Sequence, residues 1–413
     1  MDSYEKLETA CGAPLYFVEM PQTKSVAIGI LVHAGTRNEE WPREAGLAHA
    51  FEHIVFQGTK LFPTSKALTN RIESVGGRIN AWTGKEHTFF YDIMPADNFG
   101  RGIGVLHQML TASLFKLERI AVEMKNIVEE IKRAEDNPRQ FVVMLANEAL
   151  YNNHSLGKRT LGTVEAVTSF TQEDFIFYRN RFYHPANYTF IVAGNVRKDV
   201  VLQTINTLFV NLLIKEQGDF EPRTESSPNR RKLVVVNKDI KQMNICLNAL
   251  FGLDNANALD LFSSMISGGM SFPLFQEVRD KLGLCYEIGA GVSRWSDWGN
   301  FTIYVGTDAN RWKLALDKIF EVIEKSFNNE RLFKKAKKAL IGSLKTDGYE
   351  SPPQFLSKMV EDIISEGRPK TLEETIQEIQ GITLAEVAFA VRTYLRPDMF
   401  TRAFVAPKDC VVE

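Results

Sequence analysis

Cysteine is scarce in this chain, and its four occurrences, at positions 11, 246, 285 and 410, form no CxxC pair and no regular spacing. That pattern argues against a disulfide scaffold and against a cysteine-ligated metal site. An excess of charge of either sign is also missing, since 49 basic and 51 acidic residues leave a formal net charge of -2. Such a balance gives no general attraction to nucleic acid or to an anionic membrane, so neither is expected as a partner. No apolar run approaches the roughly 20 residues that span a bilayer. The nearest are strand-length stretches such as Ala27 to Val32. The opening MDSYEKLETACGAPLYFVEM carries acids early and lacks both a basic leader and an apolar segment, so the sequence predicts no secretory signal and a cytoplasmic location.

What is present is ample apolar material. Hydrophobic residues make up 44% and charged residues 24% of 413 positions, the proportions of a globular protein with more than one core. The second half of the chain replays the first at a separation of a little over two hundred residues. Leu15-Tyr-Phe-Val18 leads into Val26 to Gly35, as Leu233-Val-Val-Val236 leads into Asn244 to Gly252. Toward the end of each half, Thr171-Gln-Glu-Asp, Phe182-Tyr-His-Pro185 and the strand Tyr188 to Ala193 are matched by Thr383-Leu-Ala-Glu, Tyr394-Leu-Arg-Pro397 and Thr401 to Ala406. Strand patterns alternate with amphipathic helices such as Leu117 to Ala134 and Leu332 to Leu344, which makes the fold class α+β. The polar, Pro- and Ser-containing stretch 216–231 reads as a linker between a domain over 1–215 and a homologous one over 232–413.

The most informative segment is His49-Ala-Phe-Glu52-His53. With Pro42 suited to a first helical turn and Gly58 to an αL position after the last, the spacing predicts a helix from about Arg43 to Gln57. His49 and His53, four apart, then project from one face, where two imidazoles can hold one ion, the inverted zincin pattern. Glu52 lies beside them, placed to reach a water without being a ligand. A catalytic zinc needs a third protein ligand and an open vertex. On a second helix, ending at Asn137-Pro138, Glu123, Ile127 and Glu130 share one face while Glu129 points elsewhere. An inward carboxylate is costly unless paired or bound to a cation. The other histidines, 33, 87, 107, 154 and 184, match no ligand spacing and read as structural.

These residues resemble those of the M16 (pitrilysin-like) metallopeptidases, whose hallmark is His-x-x-Glu-His followed by a Glu after 76 intervening residues, a count that lands on Glu130. The likeness extends to Phe56-Gln-Gly-Thr59, Gly76-Gly77, Asn80-Ala81 with Thr83, Glu123, and Arg279 with Tyr286. In length the chain is similar to the compact M16B branch, which includes the mitochondrial processing peptidase subunits. The resemblance implies two homologous domains, each a mostly antiparallel sheet flanked by helices, in a clamshell dimer. It implies one Zn2+ per chain on His49, His53 and Glu130, with Glu123 orienting a ligand from behind. It further implies a metalloendopeptidase for unfolded peptides or precursor segments, with Glu52 as general base to a zinc-activated water. Asn80 and Ala81 would meet an extended substrate by strand addition. Arg279 and Tyr286 would contact the peptide, Tyr286 also steadying the oxyanion. The helix Ala258 to Ser267 contains neither His nor Glu, so one half carries the metal. Since this chain has both the metal motif and the Arg/Tyr pair, a homodimer is the simplest expectation, a heterodimer with a related chain the other. A scaffold subunit that keeps the fold without chemistry is the main rival, and it would be marked by loss of Glu52 or a ligand.

Overall fold

The computed structural model describes residues 4–210, 212 and 227–412, so residues 216–226 of the expected linker lie outside the described residues. The chain forms two compact units, each built on one sheet. In the first, strands β1 (Glu5–Glu8), β2 (Pro14–Glu19), β3 (Ser25–Val32), β4 (Arg78–Thr83), β5 (Thr88–Pro95) and β6 (Tyr188–Gly194) take the order β1-β2-β6-β3-β5-β4. In the second, β7 (Leu233–Lys238), β8 (Gln242–Phe251), β9 (Cys285–Arg294), β10 (Gly299–Asp308) and β11 (Thr401–Pro407) take the order β7-β11-β8-β10-β9. Setting β1 aside, the two orders are the same. Each sheet is antiparallel apart from one parallel pair, β2 with β6 and β7 with β11. The repeat extends to the helix starts: Thr171 and Thr383 each head a helix (Gln172–Phe182, Leu384–Tyr394) with a reciprocal capping box, closed by Asp174 and Glu386.

The central strands explain a feature of the architecture that the linear repeat does not show. In β3, Val26 to Val32 are buried without alternation, and in β8 so are Met243 to Ala249. A strand that is buried on both faces, as these are although β8 carries Asn244 and Asn248 on one of them, needs a cover on both faces. In each unit the second cover comes from the other half of the chain. Helix Pro352–Glu366 lies on β3 and β6, with Leu356 against Gly29. Helix Pro138–Tyr151 lies on β8 and β11, with Phe141, Val142, Leu145 and Ala146 packed on Cys246, Tyr304, Ala403 and Val405. Burying each large apolar side chain stabilises by about 1.5–3 kcal/mol, so either helix is a sizeable part of its core. The first unit thus takes in residues of 1–132, 158–223 and 345–372, and the second those of 133–157, 224–344 and 373–413. The compact units therefore differ from the division at 216–231 by this exchange of helices.

Asp92, in the middle of β5, is fully buried and neither carboxyl oxygen has a hydrogen-bond partner. It faces Gly102 of helix Phe99–Thr111, where even a methyl group would come within 2.7 Å of both oxygens. Burial holds this carboxyl well above the usual carboxylate range. A folded-state pKa above the unfolded one means that folding takes up a proton, and stability is lost as pH rises from about 4 toward neutrality. In thermal denaturation at several pH values, Asp92→Asn is expected to remove that part of the slope, gaining on wild type as pH rises. An unchanged difference between pH 5 and pH 8 contradicts this.

Candidate metal centre

The histidine helix is shorter than its sequence suggests, running Leu47–Val55 instead of 43–57. Gly46 sets its start, because φ of 91° is incompatible with a continuing right-handed helix. A side chain there would also strike the carbonyl of Leu161 at 2.7 Å. Pro42 consequently lies in the approach to the helix and not in its first turn. The buried amides of the new start, which have no partner within the helix, are met by Glu39, whose carboxyl oxygens accept from Gly46 N at 3.0 Å and Ala48 N at 2.9 Å. Burial pushes Glu39 up to about 8 despite these two bonds. At the other end the last turn tightens, Phe56 N donating to His53 O, and Gly58 has φ of 135°, outside the αL region. On the helix's buried side the Phe51 ring lies 4.2 Å from that of Tyr183 and 5.4 Å from that of Tyr178, centroid to centroid.

The second helix, Leu117–Asp136, ends where expected. Asn137 caps the next helix, accepting from Arg139 N and Gln140 N, and Pro138 opens it. Ile127 and Glu123 are buried, Glu129 is exposed, and Glu130 is partly exposed at the edge of the same inward face. The two helices bring His49, His53 and Glu130 together, with ligand atoms all within 4.8 Å of one another. His49 Nε2 and His53 Nε2 each lie 3.8 Å from the same oxygen, Glu130 Oε2. That is too long for a hydrogen bond. Donors bound tetrahedrally to one zinc at its usual bond lengths stand about 3.3–3.5 Å apart, so each imidazole-to-carboxylate separation is within a few tenths of an ångström of what a single ion needs.

Burial, with the charge of His53 beside it, lowers His49 to about 3 and keeps it neutral, as a ligand must be. For His53 burial works in the same direction, but the nearby carboxylates of Glu123, Glu52 and Glu130 outweigh it and raise its pKa. Glu123 Oε2 stands 3.6 Å from His53 Nδ1, the nitrogen turned away from Glu130. Glu123 is itself held by Arg119 Nη2 at 3.2 Å and Asn126 Nδ2 at 3.3 Å. The Arg119 guanidinium also donates through Nε to Gln57 Oε1 at 2.9 Å, tying the end of the first helix to the second. Glu52 is part-buried and raised by burial, an effect opposed by a 2.6 Å hydrogen bond from Thr83 Oγ1 to its Oε2. The Glu39 cap, the Arg119 clamp and the Thr83 bond were not anticipated from sequence; the conjunction Asn80-Ala-Trp-Thr83 was the nearest signal.

Asn80 and Ala81 lie in β4, the edge strand of the first sheet, with Asn80 exposed and Ala81 half-buried. In the second unit Tyr286 lies at the start of the edge strand β9, just after Cys285, 47% exposed, with its ring against Gly306. It borders a cavity of about 370 Å3 together with Arg139, Lys241 and Asn244. The Arg279 guanidinium lies 4.8 Å over the ring of Phe275. Helix Ala256–Ser267 packs on β9 as the histidine helix packs on β4; it carries no His or Glu, and its Asp260 pairs with Arg294.

Two family descriptions match the chain, "Insulinase (Peptidase family M16)" over residues 16–164 and "Peptidase M16 inactive domain" over 169–340. The chain is 31% identical over 318 residues to an uncharacterized zinc protease of Rickettsia bellii, covering 76% of each. It belongs to the M16 peptidase family. An uncharacterized zinc protease of Bacillus subtilis is 29% identical over 404 residues, 96% of each chain. In fold, the M16 member resembles a protease from Helicobacter pylori, at a TM-score of 0.86 and 19% identity, covering 98% of this chain and 100% of that one. A structure from Pseudomonas fluorescens titled as a peptidase M16 inactive domain gives 0.88 at 17%, covering 100% of both. The α+β architecture of two sheets flanked by helices is common to them. Among the described residues no helix is long and apolar enough to cross a membrane.

A proton and a zinc ion would compete for the His53 imidazole, whose pKa is raised, so zinc affinity is expected to fall as pH is lowered. By competition titration, His53→Ala and Glu130→Ala should each abolish stoichiometric zinc. Arg119→Ala should keep the stoichiometry with affinity weakened by about 10- to 100-fold. Unaltered affinity in all three variants removes this ligand set.

Proposed function

We propose that the chain is a zinc metalloendopeptidase that cleaves extended, unfolded peptides, and that His49, His53 and Glu130 hold one zinc per chain. The observation that carries the reading is the meeting of both Nε2 atoms on Glu130 Oε2, 3.8 Å from each, with Glu52 next in sequence to His53. When bound there, zinc supplies Lewis acidity toward a carbonyl oxygen and acidifies water. Glu52 takes the proton from the attacking water and returns it to the departing amine nitrogen. Its raised pKa suits a group that must first accept and then donate. Glu123 orients the His53 ring from behind through Nδ1.

The exposed edge of β4 offers backbone groups beside Glu52, to which a substrate strand adds through Asn80 and Ala81, taking the place of the Asn80 Oδ1 that accepts from Ala81 N at 2.9 Å. Main-chain pairing requires an extended chain and asks little of its side chains, so unfolded peptides are the substrate class. In this reading residues 1–215 form the catalytic domain and 232–413 its metal-free homologue, of the M16B kind, working in the cytoplasm. Arg279 and Tyr286 bind the peptide, and the Tyr286 hydroxyl donates to the developing oxyanion.

An internally quenched peptide, assayed with and without a chelator, tests the chemistry. Glu52→Gln is expected to lose about 10²- to 10⁴-fold in kcat with zinc content unchanged, and retained activity rejects the base assignment. A homodimer with composite sites is tested by mixing Glu52→Gln chains with Tyr286→Phe chains. Hybrid dimers should regain one intact site, and no recovery rejects assembly of the site across chains.

A further inference from the structure

We propose that Thr83 is the positioning residue of the general base, holding one oxygen of Glu52 so that the other is presented to water. The inference rests on the proposed function, since it gives Glu52 a proton to move. The bond from Thr83 Oγ1 to Glu52 Oε2 is 2.6 Å long. An ionised carboxylate only accepts, so the hydroxyl donates, and the length lies in the range of charge-assisted O–H···O⁻ bonds. A glutamate carboxylate otherwise turns freely about its last torsion. With Oε2 engaged, Oε1 remains to take and return the proton.

A positioning group must itself be fixed, and Thr83 is. It closes β4 opposite Thr88 of β5, and Thr88 Oγ1 is anchored on Ala34 O at 2.8 Å. The tip of the β4–β5 hairpin is docked on the segment that follows β3. Gly84 O accepts from Thr36 N at 3.2 Å, and Lys85 O from Arg37 N at 2.7 Å. Beneath them Arg37 Nη1 meets Glu86 Oε1 at 2.7 Å, the two side chains only 4% and 7% exposed. A buried ion pair broken by removal of one partner is strongly destabilising, so this tip is held in one place. The β-branched Thr side chain has few rotamers, and its hydroxyl inherits that fixity. Thr83 is also the last residue of the strand proposed to receive substrate, so one rigid element sets both the peptide's path and the orientation of the base.

The experiment compares wild type, Thr83→Val, Thr83→Ser and Glu52→Gln in the full chain, each with zinc content and melting temperature measured. Thr83→Val keeps the β-branched shape and removes the donor, whereas Thr83→Ser keeps the donor. For an internally quenched peptide, Thr83→Val is expected to lower kcat about 10- to 100-fold with KM, zinc content and melting temperature near wild type. Thr83→Ser should restore most of the rate. In the Glu52→Gln background, Thr83→Val should leave the Kd of the uncleaved peptide unchanged. Wild-type kcat in Thr83→Val beside an inactive Glu52→Gln overturns the role of Thr83 alone. So does equal loss in the Val and Ser variants, or a loss expressed in KM and Kd. Full activity in Glu52→Gln fails the proposed function itself, and the role of Thr83 with it.

Discussion

Three ligand-type atoms face one another in the first unit without a hydrogen bond between the imidazoles and Glu130, and the surrounding side chains hold them there. Left to themselves, His49, His53 and Glu130 would turn toward water. The surrounding structure restrains them from three directions. The aromatic side of the histidine helix is pinned through Phe51 to Tyr178 and Tyr183. Its start is fastened by Glu39. Its end is bound to the glutamate helix by Arg119, which reaches Gln57 and Glu123. Donor atoms fixed in advance meet their ordering cost in folding and not in binding.

The duplicated fold shows how little of a domain such a site requires. Both units have the same strand order and the same capped helices, yet only one has imidazoles on the helix beside its edge strand. In the second unit that helix, Ala256–Ser267, places Leu259, Phe262 and Ile266 into a core of its own. The same scaffold thus carries the imidazole pair in one unit and apolar side chains in the other, so the pair is an addition to a surface the fold already possesses.

Much of this was legible in the sequence. Strand and helix periodicity located the repeated elements, and Asn137-Pro138 marked the end of the glutamate helix because a cap and an N1 proline are local chemistry. The His-x-x-Glu-His spacing needed only helical geometry. Helical geometry alone left Glu123 and Glu130 on one face; tertiary placement separates them, turning Glu123 toward His53 Nδ1 and Glu130 toward both Nε2 atoms. The histidine helix was drawn too long because Gly46 is confined by Leu161 and Gly162, more than a hundred residues away. The exchange of helices was hidden for a similar reason. An apolar strand face announces that it will be covered, and nothing local says by what.

That exchange also orders events as the chain is made. The sheet that carries the histidine helix has one bare face until residues 352–366 have been synthesised, so that unit is unfinished for most of translation. Sequence-distant closure of this kind is slow compared with local helix formation. The two halves, although descended in pattern from one repeat, therefore mature as an interleaved pair.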